Sequence, residues 1–190
     1  MSRKDVEVVR HPIAVAGRLR RRLEEQLVRF PRAMAFAAGA VWGLYVRLPA
    51  RSRLRQAIAR HYTQAAFGAL NRGDLDVTFS LYHPAGESTW DAELVALGFD
   101  PVISGRQARL DAQRRWEREW GDIRIEPEEL IDLGDSRLVI PVWVKGSGLS
   151  SGAPVDMNGA FIFTVSGGRV IHEQVFRHRA DALEAAGLQE

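Results

Sequence analysis

Apolar residues recur at three- and four-residue steps between residues 53 and 71, which predicts a long amphipathic helix. Gly73 can take the left-handed conformation that ends a helix, and Asp74 can cap a short second helix that Pro84 stops. A third helix is predicted over residues 105–120, with arginines, Arg109 among them, outside its apolar face. That face is formed by Ala108, Ala112, Trp116 and Trp120.

The second half of the chain changes to the alternation of apolar and polar residues that is typical of β-strands. A short strand at 87–91 and a loop at 92–104 come before the third helix. The long strands are predicted at 123–133, 137–146, 154–165 and 169–178. Pro141 lacks the N–H that a sheet requires, so we expect an edge or a bulge there. Helices followed by antiparallel strands predict an α+β domain with one layer of each.

The first 52 residues predict a helical arm ahead of a domain at 53–190. Residues 1–16 are expected to be a loose lead, and helices are predicted at 17–30 and 32–47. The uncharged run 33–46 is shorter than the roughly 20 residues that a membrane-spanning helix needs. Because no secretory signal is evident and cysteine is absent, we expect a cytoplasmic protein without disulfides or thiolate metal sites.

The charges of the arm and of the domain have opposite signs. Residues 1–60 carry 14 Lys and Arg against 4 Asp and Glu, whereas residues 61–190 carry 12 against 20. The arm can cover its own domain or a sister subunit, or make a peripheral membrane contact through residues 17–55 with Trp42 and Tyr45 at headgroup depth. Covering its own domain is favoured because it needs no further partner. Nucleic acid binding is disfavoured because the arm has no reading motif.

Three stretches, residues 67–82, 123–144 and 161–188, together resemble the SnoaL-like domain of the nuclear-transport-factor-2-like superfamily. The resemblance covers the chain from about residue 53 to its end. It implies a curved antiparallel sheet wrapped around helices, a conical pocket, and a homodimer formed through the outer face of the sheet. Similar proteins include ketosteroid isomerase, polyketide cyclases, dehydratases, epoxide hydrolases and proteins without a known reaction, so the fold does not decide the function.

The resemblance implies catalysis by buried carboxylates, and few of the family's catalytic positions match. Asp91 falls where the isomerase has its proton-transferring aspartate. The isomerase's tyrosine falls at Ala66, and its second aspartate falls near Phe161. The histidine and aspartate of the cyclase fall near Phe161 and Val175. Asp91 is therefore the match that survives, and its alternative role is that of a solvent-facing residue at a strand end.

The last strand offers a second acid, Glu173. Alternation predicts Ile171, Glu173, Val175 and Arg177 on the pocket side, and His172, Gln174, Phe176 and His178 outside. Apolar neighbours would raise the pKa of Glu173, although an ion pair with an arginine of a neighbouring strand is the favoured alternative. No metal site or cofactor is predicted. The predicted ligand-binding residues are Tyr62, Trp116, Trp120, Phe161, Phe163, Val175 and Arg177.

Three functional hypotheses follow from the sequence. The first is a domain that binds a hydrophobic small molecule without the family's catalytic pair, and the absence of that pair favours it. The second is an acid/base enzyme, an isomerase, cyclase or dehydratase, that uses Asp91 and Glu173. The third is an interaction module that docks on a membrane or a partner through its arm.

Overall fold

Helices pack on both faces of the curved sheet. A computed structural model describes residues 8–13, 41–120, 123–149 and 151–188. The predicted helix at 17–30 and most of the one at 32–47 lie outside the described residues. The helices are α1 (Arg53–Leu70), α2 (Leu75–Ser80), α3 (Ala92–Ala96), α4 (Arg106–Glu119) and α5 (Arg179–Ala185).

The residues that begin and end α1 and α2 agree only in part with the sequence prediction. Ser52 caps α1, since its side chain accepts a hydrogen bond from the backbone N–H of Arg55. Gly73 has a φ of 73° at the turn between the helices. Asp74 precedes α2 without a side-chain capping bond, and pairs with Arg72 instead. Pro84 does not stop α2, which ends at Ser80; the proline lies inside a strand.

One curved sheet contains all the named strands. They are β1 (Val9–Pro12), β2 (Tyr82–Trp90), β3 (Val102–Ser104), β4 (Arg124–Pro127), β5 (Glu129–Asp132), β6 (Arg137–Ser147), β7 (Pro154–Ser166) and β8 (Arg169–Phe176). Their order is β1-β5-β6-β7-β8-β2-β3, and β4 pairs with β6 beside β5. The pairs are antiparallel except β2–β8, which is parallel. The predicted α+β cone is thus confirmed, with a mixed sheet.

Three predictions about this region of the fold need correction. The segment 92–104, expected to be a loop, contains α3 and β3. The segment expected to be a loose lead contributes β1, which pairs antiparallel with β5. The strand predicted over 123–133 is divided into β4 and β5. Pro127 lies opposite Val142 and Ile131 opposite Val139, so one strand has an extra residue there. The Glu128 N–H donates to the Pro141 carbonyl at 3.0 Å, which places the proline at this bulge, as predicted.

The sheet has an apolar core on each face. On the concave face, α1 packs against β4 and β5, and the core includes Phe67, Leu138, Ile140 and Phe161. On the convex face, α5 covers Val139 and Ile162 with Ala182 and Leu183. The alternation predicted along β6 therefore directs its residues to two different cores.

The described end of the arm lies on the domain. Residues 41–47 are helical, and Tyr45 is fully buried. The Tyr45 hydroxyl donates to Asp132 Oδ2 at 2.7 Å, and Arg55 holds the same carboxylate through Nε at 2.7 Å and Nη2 at 2.8 Å. The Tyr45 side chain therefore packs in the domain core, and it does not lie at the surface where it could contact lipid headgroups. Among the described residues, no helix has the length and apolar character that crossing a membrane requires.

Candidate functional site

A cavity of about 220 Å³ lies between the concave face of the sheet and helices α1, α2 and α4. The arm contributes Trp42 to its wall. An apolar cavity of about 150 Å³ is large enough to hold benzene. The cavity can therefore hold a substituted aromatic ring, and most of its wall is aromatic or aliphatic.

Aromatic side chains supply flat surfaces in this wall. Phe161 and Phe163 stack with their ring centroids 5.6 Å apart, and Phe67 meets Phe161 edge-on at 5.7 Å. On the other side, Trp90 stacks on Phe99 at 4.4 Å. These arrangements are the favourable ones for aromatic pairs, and the flat surfaces that they present are suited to a planar ligand.

The structure brings most of the predicted ligand-binding residues together. The residues that line the cavity are Tyr62, Trp116, Trp120, Phe161, Phe163 and Val175. Arg177 lies outside the wall because it follows the last residue of β8 and turns toward α3. Its Nε is 3.2 Å from Glu93 Oε2, and its Nη1 is 3.9 Å from Met157 Sδ.

The prediction that Ile171 of the last strand faces the pocket is wrong. Glu173 and Val175 line the cavity, but Ile171 is exposed and Val170 takes its place in the wall. The reason is a register shift against β7. Thr164 lies opposite His172, and Val165 lies opposite Val170, which leaves Ile171 as the extra residue.

Glu173 is the centre of a buried polar cluster in the cavity wall. Its side chain is 1% exposed. Tyr82 Oη donates to Oε1 at 2.8 Å, and Ser88 Oγ donates to Oε2 at 2.6 Å. Arg109 Nε donates to Oε2 at 2.9 Å, and Nη2 donates to Oε1 at 3.5 Å. A carboxylate has about four lone-pair sites, so these four bonds occupy its accepting capacity.

The predicted rise in the Glu173 pKa is wrong. Burial alone would raise the pKa, but the Arg109 charge and the bonds from Arg109, Ser88 and Tyr82 outweigh burial and lower it. Burial, and then the Glu173 charge, raises the pKa of Tyr82 well above its ordinary value. The ion-pair alternative describes the geometry, although the arginine comes from a helix and not from a neighbouring strand.

Arg109 is the residue that the sequence interpretation missed. The predicted apolar face of α4 is rotated, because Ala108 is exposed while Arg109, Leu110 and Gln113 are buried. The Arg109 guanidinium lies 5.4 Å from the Phe79 ring centroid and 5.3 Å from that of Trp90. Burial would lower its pKa, but the Glu173 charge raises it, so the guanidinium stays protonated. The signal in the sequence was that Arg109 and Gln113 are four residues apart, so both lie on one face of the helix.

Asp91 lies outside the cavity wall, where its carboxylate caps a helix. Its Oδ1 accepts from the Leu94 N–H at 2.8 Å and caps α3. Its Oδ2 accepts from the Arg177 N–H at 2.5 Å, so α3 is tied to the end of β8. The structure does not bring Asp91 and Glu173 together in the cavity, and a catalytic role for these carboxylates stays a prediction.

The mouth of the cavity lies between residues 97–100 and the C-terminal half of α4. Leu97, Asp100 and Arg115 are exposed and also line the cavity. Arg115 Nη2 pairs with Asp100 Oδ2 at 2.8 Å across this opening. Within residues 8–13, 41–120, 123–149 and 151–188, no group of three His, Cys, Asp or Glu side chains is arranged to hold a metal ion.

Comparisons with known families and structures agree with a domain that has a cavity under a curved sheet. The model of the SnoaL-like domain matches residues 59–173, more than half of the chain. The chain belongs to the SnoaL-like domain family. No curated protein matches it.

Solved structures place this SnoaL-like domain in the same fold. A nuclear-transport-factor-2-like protein of unknown function from Burkholderia pseudomallei K96243 is 15% identical, with a TM-score of 0.57 over 65% of this chain and 93% of that one. TerC, co-crystallised with polyporic acid, is 17% identical, with a TM-score of 0.55 over 67% and 96%. A SnoaL-like polyketide cyclase from Jannaschia sp. CCS1 is 18% identical, with a TM-score of 0.53 over 66% and 88%. At these identities the likeness concerns the fold alone.

Proposed function

We propose that this SnoaL-like domain binds an apolar small molecule, about the size of a substituted aromatic ring, and does not transfer protons. The observation that carries the proposal is the chemical character of the cavity wall. The wall is mainly aromatic and aliphatic, and its buried carboxylate, Glu173, has its accepting capacity filled by protein donors. A carboxylate with a lowered pKa and no accessible lone pair is a poor proton acceptor.

The positions where the resemblance puts catalytic groups support the same proposal. Ala66, Phe161 and Val175 all line the cavity and present only apolar groups to it. A ligand of such a cavity gains free energy chiefly by leaving water. TerC, which shares the fold, was co-crystallised with a small organic molecule, and this agrees with a fold that admits such ligands.

A thermal-shift screen with naphthalenes, polyketide-like aromatics, fatty acids and steroids tests the proposal. A ligand at about 100 times its Kd stabilises the folded protein by about 2.7 kcal/mol. Ala112→Phe fills the cavity from α4 and should abolish the shift, whereas Ala108→Phe, on the exposed face of the same helix, should retain it. The proposal fails if no apolar compound stabilises the wild-type protein, or if both variants respond alike.

The second candidate function is an acid/base enzyme, an isomerase, cyclase or dehydratase that uses Asp91 and Glu173. The position of Glu173 in the cavity wall favours it. Such an enzyme would remove a proton next to a carbonyl group, so it should exchange the methyl protons of 2-acetylnaphthalene in D₂O. Exchange faster than in buffer, and lost in Glu173→Gln, would establish this function in place of the first.

Two assembly proposals accompany these functions. A homodimer through the convex face of the sheet would use the end of β6 where Trp143 is half-buried, and light scattering after size exclusion measures its mass. Peripheral membrane contact through residues 17–55 is measured by flotation with acidic liposomes, compared with neutral ones. Fractionation of cells tests the cytoplasmic location and separates a free protein from a peripheral one.

A further inference from the structure

We propose that the cavity selects an uncharged aromatic ligand that carries a carbonyl oxygen, and that Arg109 Nη1 donates hydrogen bonds to this oxygen. The inference rests on the proposed function of a ligand-binding domain. It adds the chemical class of the ligand and the direction in which the ligand lies.

The donors of Arg109 divide into two sets. Nε and one N–H of Nη2 face Glu173. A guanidinium has five N–H groups, so both N–H groups of Nη1 and one of Nη2 are left. No acceptor for Nη1 lies within the part of the chain that the structure describes. The side chain is 8% exposed and belongs to the cavity wall, so these donors are within reach of a cavity ligand.

The charge balance of the cluster favours an uncharged ligand. Arg109 and Glu173 are both ionised and neutralise one another, as the directions of their pKa shifts indicate. An anionic ligand at Nη1 would meet the negative charge of Glu173 across the guanidinium, and would leave water for a largely apolar cavity. Burying a third charge without a counter-ion is costly, whereas a carbonyl oxygen accepts a charge-assisted bond without that cost.

The neighbours of Arg109 favour an acceptor on a flat body. The Phe79 and Trp90 ring centroids lie 5.4 and 5.3 Å from the guanidinium carbon, so a flat ligand beside this carbon meets aromatic surfaces. Ligand amines find no open acceptor on Glu173, because Tyr82, Ser88 and Arg109 occupy its oxygens. Gln113 lies one helical turn after Arg109 in the same wall, and its buried amide can serve a hydroxyl group next to the carbonyl.

Three compounds of matched shape test the inference: 2-isopropylnaphthalene, 2-acetylnaphthalene and 2-naphthoate. Their Kd values are measured by calorimetry at pH 7 with the wild-type full chain. We expect the ketone to bind about tenfold more tightly than the hydrocarbon, which is the typical effect of one hydrogen bond to a charged group. We expect the carboxylate to bind at least about tenfold more weakly than the ketone, because of its added buried charge.

The double variant Arg109→Met/Glu173→Gln removes both charges together and avoids leaving one of them buried alone. It should lose the preference for the ketone over the hydrocarbon. Arg114→Met, an exposed position on the same helix, is the matched control and should keep that preference. With ketone labelled at the carbonyl carbon, the ¹³C resonance should move downfield on binding to wild type and not on binding to the double variant.

Each outcome decides between this inference and the proposed function. Equal Kd values for the ketone and the hydrocarbon, or tightest binding of the carboxylate, overturn the inference and leave a ligand-binding cavity. A ketone preference that survives in the double variant also overturns it, because Arg109 is then not the donor. Absence of binding by all three compounds overturns the inference, and the thermal-shift screen with the other compound classes then decides the proposed function.

Discussion

Arg109 and Glu173, which are 64 residues apart in the chain, form an ion pair with Nε 2.9 Å from Oε2. The pair joins α4 to β8 across one end of the cavity. The side chains are 8% and 1% exposed, so water screens their attraction little. The carboxylate is held ionised, and this gives stability to the folded protein in a defined range of pH.

The stability that Glu173 contributes should be lost in acid. Its pKa is lowered in the folded protein from an ordinary value of 4.5, so its contribution is complete above that value. The contribution falls as the pH drops below 4.5 and through the lowered folded pKa. Urea unfolding between pH 7 and pH 3 should therefore show a steeper loss for wild type than for Arg109→Met/Glu173→Gln. Parallel pH profiles would mean that Glu173 has the same pKa in both states.

Removing one member of this pair should cost more than removing both. Arg109→Met leaves a buried carboxylate without its counter-ion, and we expect a loss of about 3–5 kcal/mol. The double variant leaves no buried charge, so its loss should be clearly smaller, with Tyr82 and Ser88 still bonded to the amide that Glu173→Gln introduces. Chemical denaturation of the single and double variants gives the coupling energy, and additive losses would contradict the assignment.

Gln113→Leu should weaken the binding of polar ligands and change stability little. Gln113 is 7% exposed and lines the cavity, and its amide is not among the fully buried atoms that lack a partner in the described residues. Because such an amide can be hydrated in the empty cavity, replacing it with an apolar group of similar shape should change the free energy of unfolding by less than about 1 kcal/mol. The melting temperature and the Kd for a hydroxylated acetylnaphthalene check the two effects. A loss of stability well above about 1 kcal/mol would mean that the amide has a protein partner in the folded state.

The sequence predicts the elements better than it predicts the polar cluster. Helix α1 and the alternation of β6 follow from periodicity alone, and so does most of the apolar wall. The burial of Arg109 does not follow from periodicity, because α4 carries several arginines. The buried one is the one that pairs with Glu173, which is 64 residues away in the chain. Ile171 shows the same limit in a strand, since one extra residue reverses the facing that alternation predicts.

Asp91→Ala should destabilise the protein without changing the cavity. The substitution removes the cap of α3 and the acceptor for the Arg177 N–H, so we expect a loss of about 1–2 kcal/mol. Asp91→Ser retains a capping oxygen and should lose less. The Kd for 2-isopropylnaphthalene should not change in either variant, since Asp91 lies outside the wall. A large change in this Kd would place Asp91 in the binding site.

Tyr45→Phe should loosen the described end of the arm. The hydroxyl that it removes donates to Asp132 Oδ2, a carboxylate that is otherwise held by Arg55 and the Gly134 N–H. Losing a buried hydrogen bond to a charged group typically costs about 1.5–3 kcal/mol. Tyr62→Phe makes the same chemical change in the cavity wall, where the hydroxyl has no protein partner among the described residues, and should cost little.

Hydrogen exchange locates this effect. Amides of residues 41–50 should exchange faster in Tyr45→Phe than in wild type, while those of α5, on the convex face, should keep their rates. Because Trp42 is stacked on Tyr45 at 4.1 Å and also lines the cavity, the Kd for the hydrocarbon should rise with the faster exchange. Unchanged exchange in residues 41–50 would mean that Arg55 holds this segment without the tyrosine, and that the cavity does not depend on this bond.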